Sequence, residues 1–326
     1  MGHSLNGSVK PRVVVSKCLE FEPCRYNGLQ ISSHVVKLLK HHVEFLPVCP
    51  EIEIGLGVPR DPIRICERGE KRALIQPATD LDVTADMRRF IKEYFESMEN
   101  VDGIIMKSRS PSCGIRDVKI YAGPEERAHY KKGSGFFGGT ARDRLGHLAI
   151  EDEARLTNFR IREHFLTKLY VMSRFRLVRS SPTMKGIIDF QSNHKLLLMA
   201  YNQKELRELG RITANHDRKP VSDVIVEYGE HLARALAKSP RYTSNINVLM
   251  HGFGYFSKKL SPRERGFFLD SLEHYRAGRI PLSVLQHTMR SWILRFDTKY
   301  LSSQTFFVPY PETLVEITDS GKGRKM

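Results

Sequence analysis

No stretch of this 326-residue chain approaches the ~18 consecutive apolar residues of a membrane-spanning helix. Its start, residues 1–8, lacks the apolar region of a secretion signal, so a cytoplasmic protein is expected. Cysteine is scarce: five residues, an odd number, in a large chain without export signals argue against a disulfide framework and for reduced, metal-binding or reactive thiols. No internal repeat of fixed period and no low-complexity region is present, and 40% apolar residues are enough to bury the cores of two domains.

Carboxylates are also in short supply. The 37 Asp+Glu leave 52 Lys+Arg unbalanced, for a net charge of +15. The excess is uneven: residues 1–150 hold 23 Lys+Arg against 19 Asp+Glu, whereas residues 151–326 hold 29 against 18. Strongly basic soluble chains commonly bind nucleic acid, because Lys and Arg that neutralise phosphates release condensed counterions. A solvated basic surface that aids solubility accounts for the charge equally well.

Residues 1–10 read as a flexible tail. Residues 12–18 then form an apolar strand, helical spacing follows over 29–41, and residues 43–48 resume a strand, giving a β-α-β opening. Residues 53–78 read mainly as loop, and a helix capped by Asp80 or Asp82 is expected to run to about Met98. Residues 101–108 read as a third buried strand and 118–121 as a short fourth. Beyond 146–153 amphipathic segments take over, at 158–178, 183–201, 203–214, 221–238, 243–256, 262–277 and 282–296. The expectation is an α/β, Rossmann-like N-terminal domain with a mostly parallel sheet over 11–150 and an all-α domain over 151–326.

Cys18, Cys49 and Cys113 each lie where an apolar, strand-like run gives way to a turn. In an open α/β sheet, reactive groups collect outside the carboxyl ends of parallel strands, so such thiols can converge. Widely spaced single cysteines do not resemble the close ligand pairs of a zinc finger. An iron-sulfur cluster held by three thiols would leave one iron open or need a fourth ligand, for which Cys24 is a candidate. On the residues alone, metal ligands and buried inert thiols both stand, and Cys66 reads as structural or incidental.

Four segments occurring in order resemble the bacterial thiouracil desulfurase family: residues 16–18, Cys24-Arg25-Tyr26-Asn27-Gly28, residues 47–60 containing Cys49-Pro50-Glu51, and residues 107–114 containing Ser110-Pro111-Ser112-Cys113-Gly114. The helical half is similar to a domain often fused to that family, notably at 193–200, 209–211 and 247–256. Fused members resemble desulfidases that convert 4-thiouridine in tRNA to uridine. The resemblance implies a 4Fe-4S cluster on Cys18, Cys49 and Cys113 with the fourth iron open, acting as a Lewis acid and not as a redox carrier. It implies Glu51 as general acid-base and Ser110 as the functional serine. Ser112 is read as stabilising the turn. Arg25, Tyr26 and Lys107 are candidate contacts to the nucleotide.

Many relatives carry Leu-Leu-Gly after the first cysteine, where this chain has Leu19-Glu20-Phe21, and an apolar residue where it has Cys24. The candidate RNA-binding segments are Arg160, Arg162, Lys168, Tyr170, Arg174, Phe175, Arg176 and Arg179; Arg234, Lys238, Arg241 and Tyr242; and Tyr255, Phe256, Lys258, Lys259, Arg263 and Arg265. His194 and His251 are expected to pack. The expected partner is tRNA, with no membrane and no obligate protein partner. Two alternatives remain: desulfuration of free thiolated pyrimidines such as 2-thiouracil, and a non-catalytic RNA-binding protein with a structural metal.

Overall fold

A computed structural model describes residues 9–69, 71–123 and 129–318, so the tail expected over 1–10 lies outside them but for its last two residues. The described chain forms two compact units, residues 10–173 with Thr318 and residues 174–317 with Val9.

The first unit runs β1 (Arg12–Ser16), α1 (His34–Leu39), β2 (Glu44–Val48), α2 (Pro50–Glu53), β3 (Arg64–Arg68), β4 (Lys71–Gln76), β5 (Leu81–Asp82), α3 (Thr84–Ser97), β6 (Gly103–Met106), β7 (Val118–Tyr121), β8 (Tyr130–Gly133), α4 (Phe136–Leu145) and β9 (Ala149–Asp152), then enters α5 (Phe159–Ser180). Its main sheet is parallel and four-stranded, in the order β2-β1-β6-β9. Central β1 has partners on both sides, and Val13, Val14 and Val15 are wholly buried, as expected of a strand covered on both faces. Strand order reverses between β1 and β6, the point at which open α/β sheets present ligand crevices.

A second, five-stranded sheet, β5-β4-β3-β7-β8, occupies much of the stretch expected to be loop. Its β3–β4 hairpin pairs Ile65 with Leu74 and Glu67 with Arg72. The charged residues at 64, 67, 68, 71 and 72 mask the alternation, and the interior side chains are buried only once the sheet is assembled. Helix α4 and strands β8 and β9 were likewise not expected from the patterning.

The second unit is all helix among its described residues: α6 (Met184–Tyr201), α7 (Gln203–Ala214), α8 (Val221–Ala235), α9 (Tyr242–Phe253), α10 (Pro262–Arg276), α11 (Leu282–Arg295) and α12 (Lys299–Ser302). The chain sets these boundaries locally. The Thr183 hydroxyl accepts from Gly186 N, the Asn202 side chain from Lys204 N and Glu205 N, and Ser261 forms a capping box with Glu264. The units divide at 173/174, not at the 150/151 change in pattern. The early part of α5 belongs with the sheet: Leu169 lies where a Cβ on Gly103 would stand, and Lys168 Nζ donates to Gly146 O at 3.2 Å. No helix among the described residues is long and apolar enough to cross a membrane.

Candidate functional site

The ends of β2, β1 and β6, three neighbouring parallel strands, lead into the loops that carry Cys49, Cys18 and Cys113. Cys49 directly follows β2 and caps the short α2, which sets Glu51 two residues beyond the thiol. Cys18 sits in a tight turn: Leu19 N donates to Ser16 O at 2.8 Å, and Ile31 N donates to Cys18 O at 2.8 Å. Cys113 is held by a turn in which the Ser110 hydroxyl accepts from Ser112 N at 3.2 Å and from Cys113 N at 3.0 Å.

That last loop rests on the start of α4. Phe136 N donates to Pro111 O at 3.0 Å, Phe137 N to Ser112 O at 2.9 Å and Gly138 N to Ser112 O at 3.0 Å, so the loop's carbonyls satisfy the helix's free donors. The approach is close enough to require glycine: a Cβ on Gly138 would stand 2.1 Å from Cys113 O, and one on Gly135 would stand 2.6 Å from both Pro111 O and Ser112 O.

Four thiols form a chain of neighbours. Cys24, Cys49 and Cys113 are buried and Cys18 is half-buried. The Cys24 thiol is pushed up to about 11, first by its hydrogen bond to Cys18, with Cys49 opposing and burial adding. Cys49 is raised by its bond to Cys24 and then by burial. Burial raises Cys113, the nearby Cys49 and Glu51 charges add to this, and Ser16 and Ser110 oppose it. Cys66 belongs elsewhere, in the small-sheet core with Ala73 and Ile75.

Glu51 is clamped. Arg60 Nε donates to Glu51 Oε2 at 3.0 Å, Arg60 also reaches that oxygen through a second guanidinium nitrogen, and the Ser112 hydroxyl donates to Glu51 Oε1 at 2.8 Å. Arg60 is almost buried, and its guanidinium donates also to Cys24 O at 3.2 Å and Gly57 O at 3.1 Å. Arg60 therefore ties the carboxylate to the loop between the first two cysteines. Sequence reasoning gave Arg60 no role, although it closes the motif that begins at Pro47. It also gave Ser112 the turn, yet the turn bonds belong to Ser110 and the Glu51 bond to Ser112.

The remaining candidates fall into two groups. Arg25 and Tyr26 lie on the loop after Cys24, with the guanidinium 5.5 Å from the half-exposed ring, and Gly28 turns that loop at φ +72°. Lys107 spends its donors locally: Nζ contacts Ser108 O at 3.0 Å, Ser108 Oγ at 2.9 Å and Glu153 Oε1 at 2.6 Å. Nearby Arg109 is held at φ +60°, an uncommon conformation for a side-chain-bearing residue.

Several residues expected to meet RNA are interior. Arg162, Lys168, Tyr170, Phe175 and Phe256 are buried, and Arg162 donates to Leu156 O and Thr157 O. Tyr255 is exposed and stacks on Tyr300 at 5.8 Å, with exposed Lys258 and Lys259 following it. His194 packs as expected, its ring stacked 4.0 Å from Phe190 and its Nδ1 on Phe190 O at 2.8 Å, whereas His251 is exposed.

Among the described residues, no group of three or more His, Cys, Asp or Glu is disposed around one point as a single metal ion requires. A cluster imposes a different demand, because it spreads its thiolates over separate irons. The donor set fits one: the three soft thiols follow adjacent parallel strands, and those of Cys49 and Cys113, raised chiefly by the Cys24 bond and by burial respectively, are groups a multiply charged metal centre converts to thiolates.

Residues 13–153 match the family described as 2-thiouracil desulfurase, and residues 195–311 match a second described as a protein of unknown function, DUF1722. The uncharacterized protein YbgA of Escherichia coli is 27% identical over 140 residues, 43% of this chain and 83% of that protein. The uncharacterized protein YbbK of Bacillus subtilis is 33% identical over 114 residues, 31% of this chain and 72% of that protein. Among solved structures, the [4Fe-4S]-dependent thiouracil desulfidase TudS is 28% identical, covering 45% of this chain and 93% of its own, with a TM-score of 0.37.

Proposed function

The chain belongs to the 2-thiouracil desulfurase family, desulfidases of thiolated pyrimidines, through residues 13–153, and from that premise we propose that it hydrolyses 4-thiouridine in tRNA to uridine and sulfide. The supporting observation is the clamped Glu51 beside the strand-end thiols, held by Arg60 on one oxygen and Ser112 on the other. Cys18, Cys49 and Cys113 would hold a 4Fe-4S cluster. Bound there, the cluster supplies a Lewis acid for the thiocarbonyl sulfur and leaves the electron count unchanged.

The protein's own groups handle the protons. Glu51 accepts one proton from water as the water oxygen bonds to the ring carbon and returns it to the departing sulfur as the carbon–sulfur bond breaks, while the second water proton leaves to solvent as the carbonyl of uridine forms. Water supplies every atom gained, and no electron enters or leaves. Arg60 on one oxygen and Ser112 on the other fix the orientation of the carboxylate. Ser110 keeps the Cys113 turn in shape, and the Arg25–Tyr26 pair would stack on an exposed base.

The charge distribution favours tRNA over a free base. Residues 151–326 carry 29 Lys+Arg against 18 Asp+Glu, which a small neutral pyrimidine does not require. A non-catalytic RNA binder with a structural metal has no use for a carboxylate held on both oxygens. The test is anaerobic incubation of cluster-loaded protein with thiolated tRNA and, separately, with 2-thiouracil, following loss of thiocarbonyl absorbance. Faster loss from tRNA supports the proposal. Turnover of the free base with inert tRNA transfers the function to small pyrimidines, and inertness toward both overturns hydrolysis.

A further inference from the structure

A concavity of about 340 Å³ lies between α3 and α4 and is lined by Arg72, Arg88, Lys92 and Arg144 together with Ser134 and Thr140. Its one acidic wall residue, Asp143, pairs with Arg142 at 3.0 Å. Among the described residues, no carboxylate lies within ion-pair distance of Arg72, Lys92 or Arg144; Glu67, opposite Arg72 in the hairpin, pairs with Lys131 at 2.6 Å. Their immediate neighbours behave differently: Arg89 pairs with Asp86, and Arg142 with Asp143. Arg88 has no carboxylate either; it donates to Arg72 O at 3.2 Å and lies 5.9 Å from the Phe136 ring at the cavity wall.

Four cations facing one hollow repel one another, and Arg88 and Lys92 do so at i,i+4 spacing on one helix. Such an arrangement disfavours the free protein and is offset when anions enter. Strand β4 and helices α3 and α4 all contribute, so the four exposed cationic side chains spring from regular elements and not from loops. One inorganic phosphate would not neutralise four charges, whereas consecutive phosphodiesters would. The α4 N-terminus takes no part, because its donors are committed to Pro111 O and Ser112 O.

We propose that the α3–α4 groove binds the phosphodiester backbone of the RNA substrate, as a site in the catalytic unit additional to any in the helical one. This rests on the tRNA reading above. The groove then lets the desulfurase unit itself select RNA over free base, and Arg88 with Phe136 offers a flat face beside the phosphates.

The experiment uses the full chain with the combined variant Arg72→Gln, Lys92→Gln and Arg144→Gln, against the control variant Arg89→Gln and Arg142→Gln, whose residues are ion-paired. Affinity for unmodified tRNA is measured by fluorescence anisotropy over a series of KCl concentrations, and turnover of 2-thiouracil is measured alongside. The groove variant is expected to bind tRNA at least tenfold more weakly and to lower the log–log salt slope by about 2–3. Its 2-thiouracil turnover stays at the native level. The control should shift neither affinity nor slope appreciably. A groove variant with native affinity and slope, or one no weaker than the control, overturns the groove and leaves the tRNA reading standing. A native chain that binds no tRNA at any salt overturns both.

Discussion

Arg60 and Glu51 are nine residues apart and joined by two hydrogen bonds onto one carboxylate oxygen, and the same guanidinium holds the carbonyl of Cys24. The carboxylate proposed to move the proton and the loop between two proposed cluster ligands are thus one mechanical piece.

Replacing Arg60 by Gln should leave the thiols in place while releasing Glu51. We expect kcat to fall about a hundredfold, the scale of an ångström-level misplacement. Glu51→Ala should abolish sulfur release. In both, iron per chain and visible absorbance should match the native protein, and rapid turnover by the Arg60→Gln variant would show that Glu51 needs no clamp.

Ser110 and Ser112 should separate cleanly. Ser110→Ala strips an acceptor from Ser112 N and Cys113 N, so it should lower iron retention and stability, the latter by about 1 kcal/mol as for a lost cap. Ser112→Ala keeps that turn, and we expect full iron content with at least a tenfold lower kcat. A slow but fully loaded and fully stable Ser110→Ala would instead assign the chemistry to Ser110.

Gly138→Ala places a methyl group against Cys113 O, at 2.1 Å before relaxation. The backbone must move, because neither the helix nor the turn offers a flexible side chain to yield. Loss of bound iron and a fall in Tm of several degrees are expected, read by iron assay and thermal melting. Gly210→Ala, where nothing lies within 4 Å of the added atom, should melt at or slightly above the native temperature.

His194 predicts acid sensitivity. Burial is the main cause that lowers it from 6.5 to about 3, and its Nε2 has no hydrogen-bond partner among the described residues. Between those values the unfolded chain binds a proton that the folded chain refuses, so its contribution is complete above pH 6.5 and is lost as pH falls toward 3. The full difference is on the order of 5 kcal/mol. His194→Phe should flatten the decline of Tm between about pH 7 and about pH 5, the upper part of that window; a decline as steep as the native one would place the acid sensitivity elsewhere.

Much of the catalytic unit was legible in the chain itself. Val13 to Val15 announces a strand buried on both faces, and a thiol at or beyond the end of each of three apolar runs marks the side of the sheet where parallel strands display chemistry. The helical unit was equally readable, since caps at Thr183, Asn202 and Ser261 act within a few residues of themselves. The β3–β4 hairpin escaped because its charges hide the alternation. Residue roles escaped for another reason: which of two nearby serines meets Glu51 depends on contact across 61 positions of sequence. Local pattern and propensity act over a turn or two and were sufficient for the elements and the cysteines. The clamp by Arg60, the exchange between Ser110 and Ser112, and the glycines under Cys113 arise from distances between remote segments, which exist only after the chain has packed.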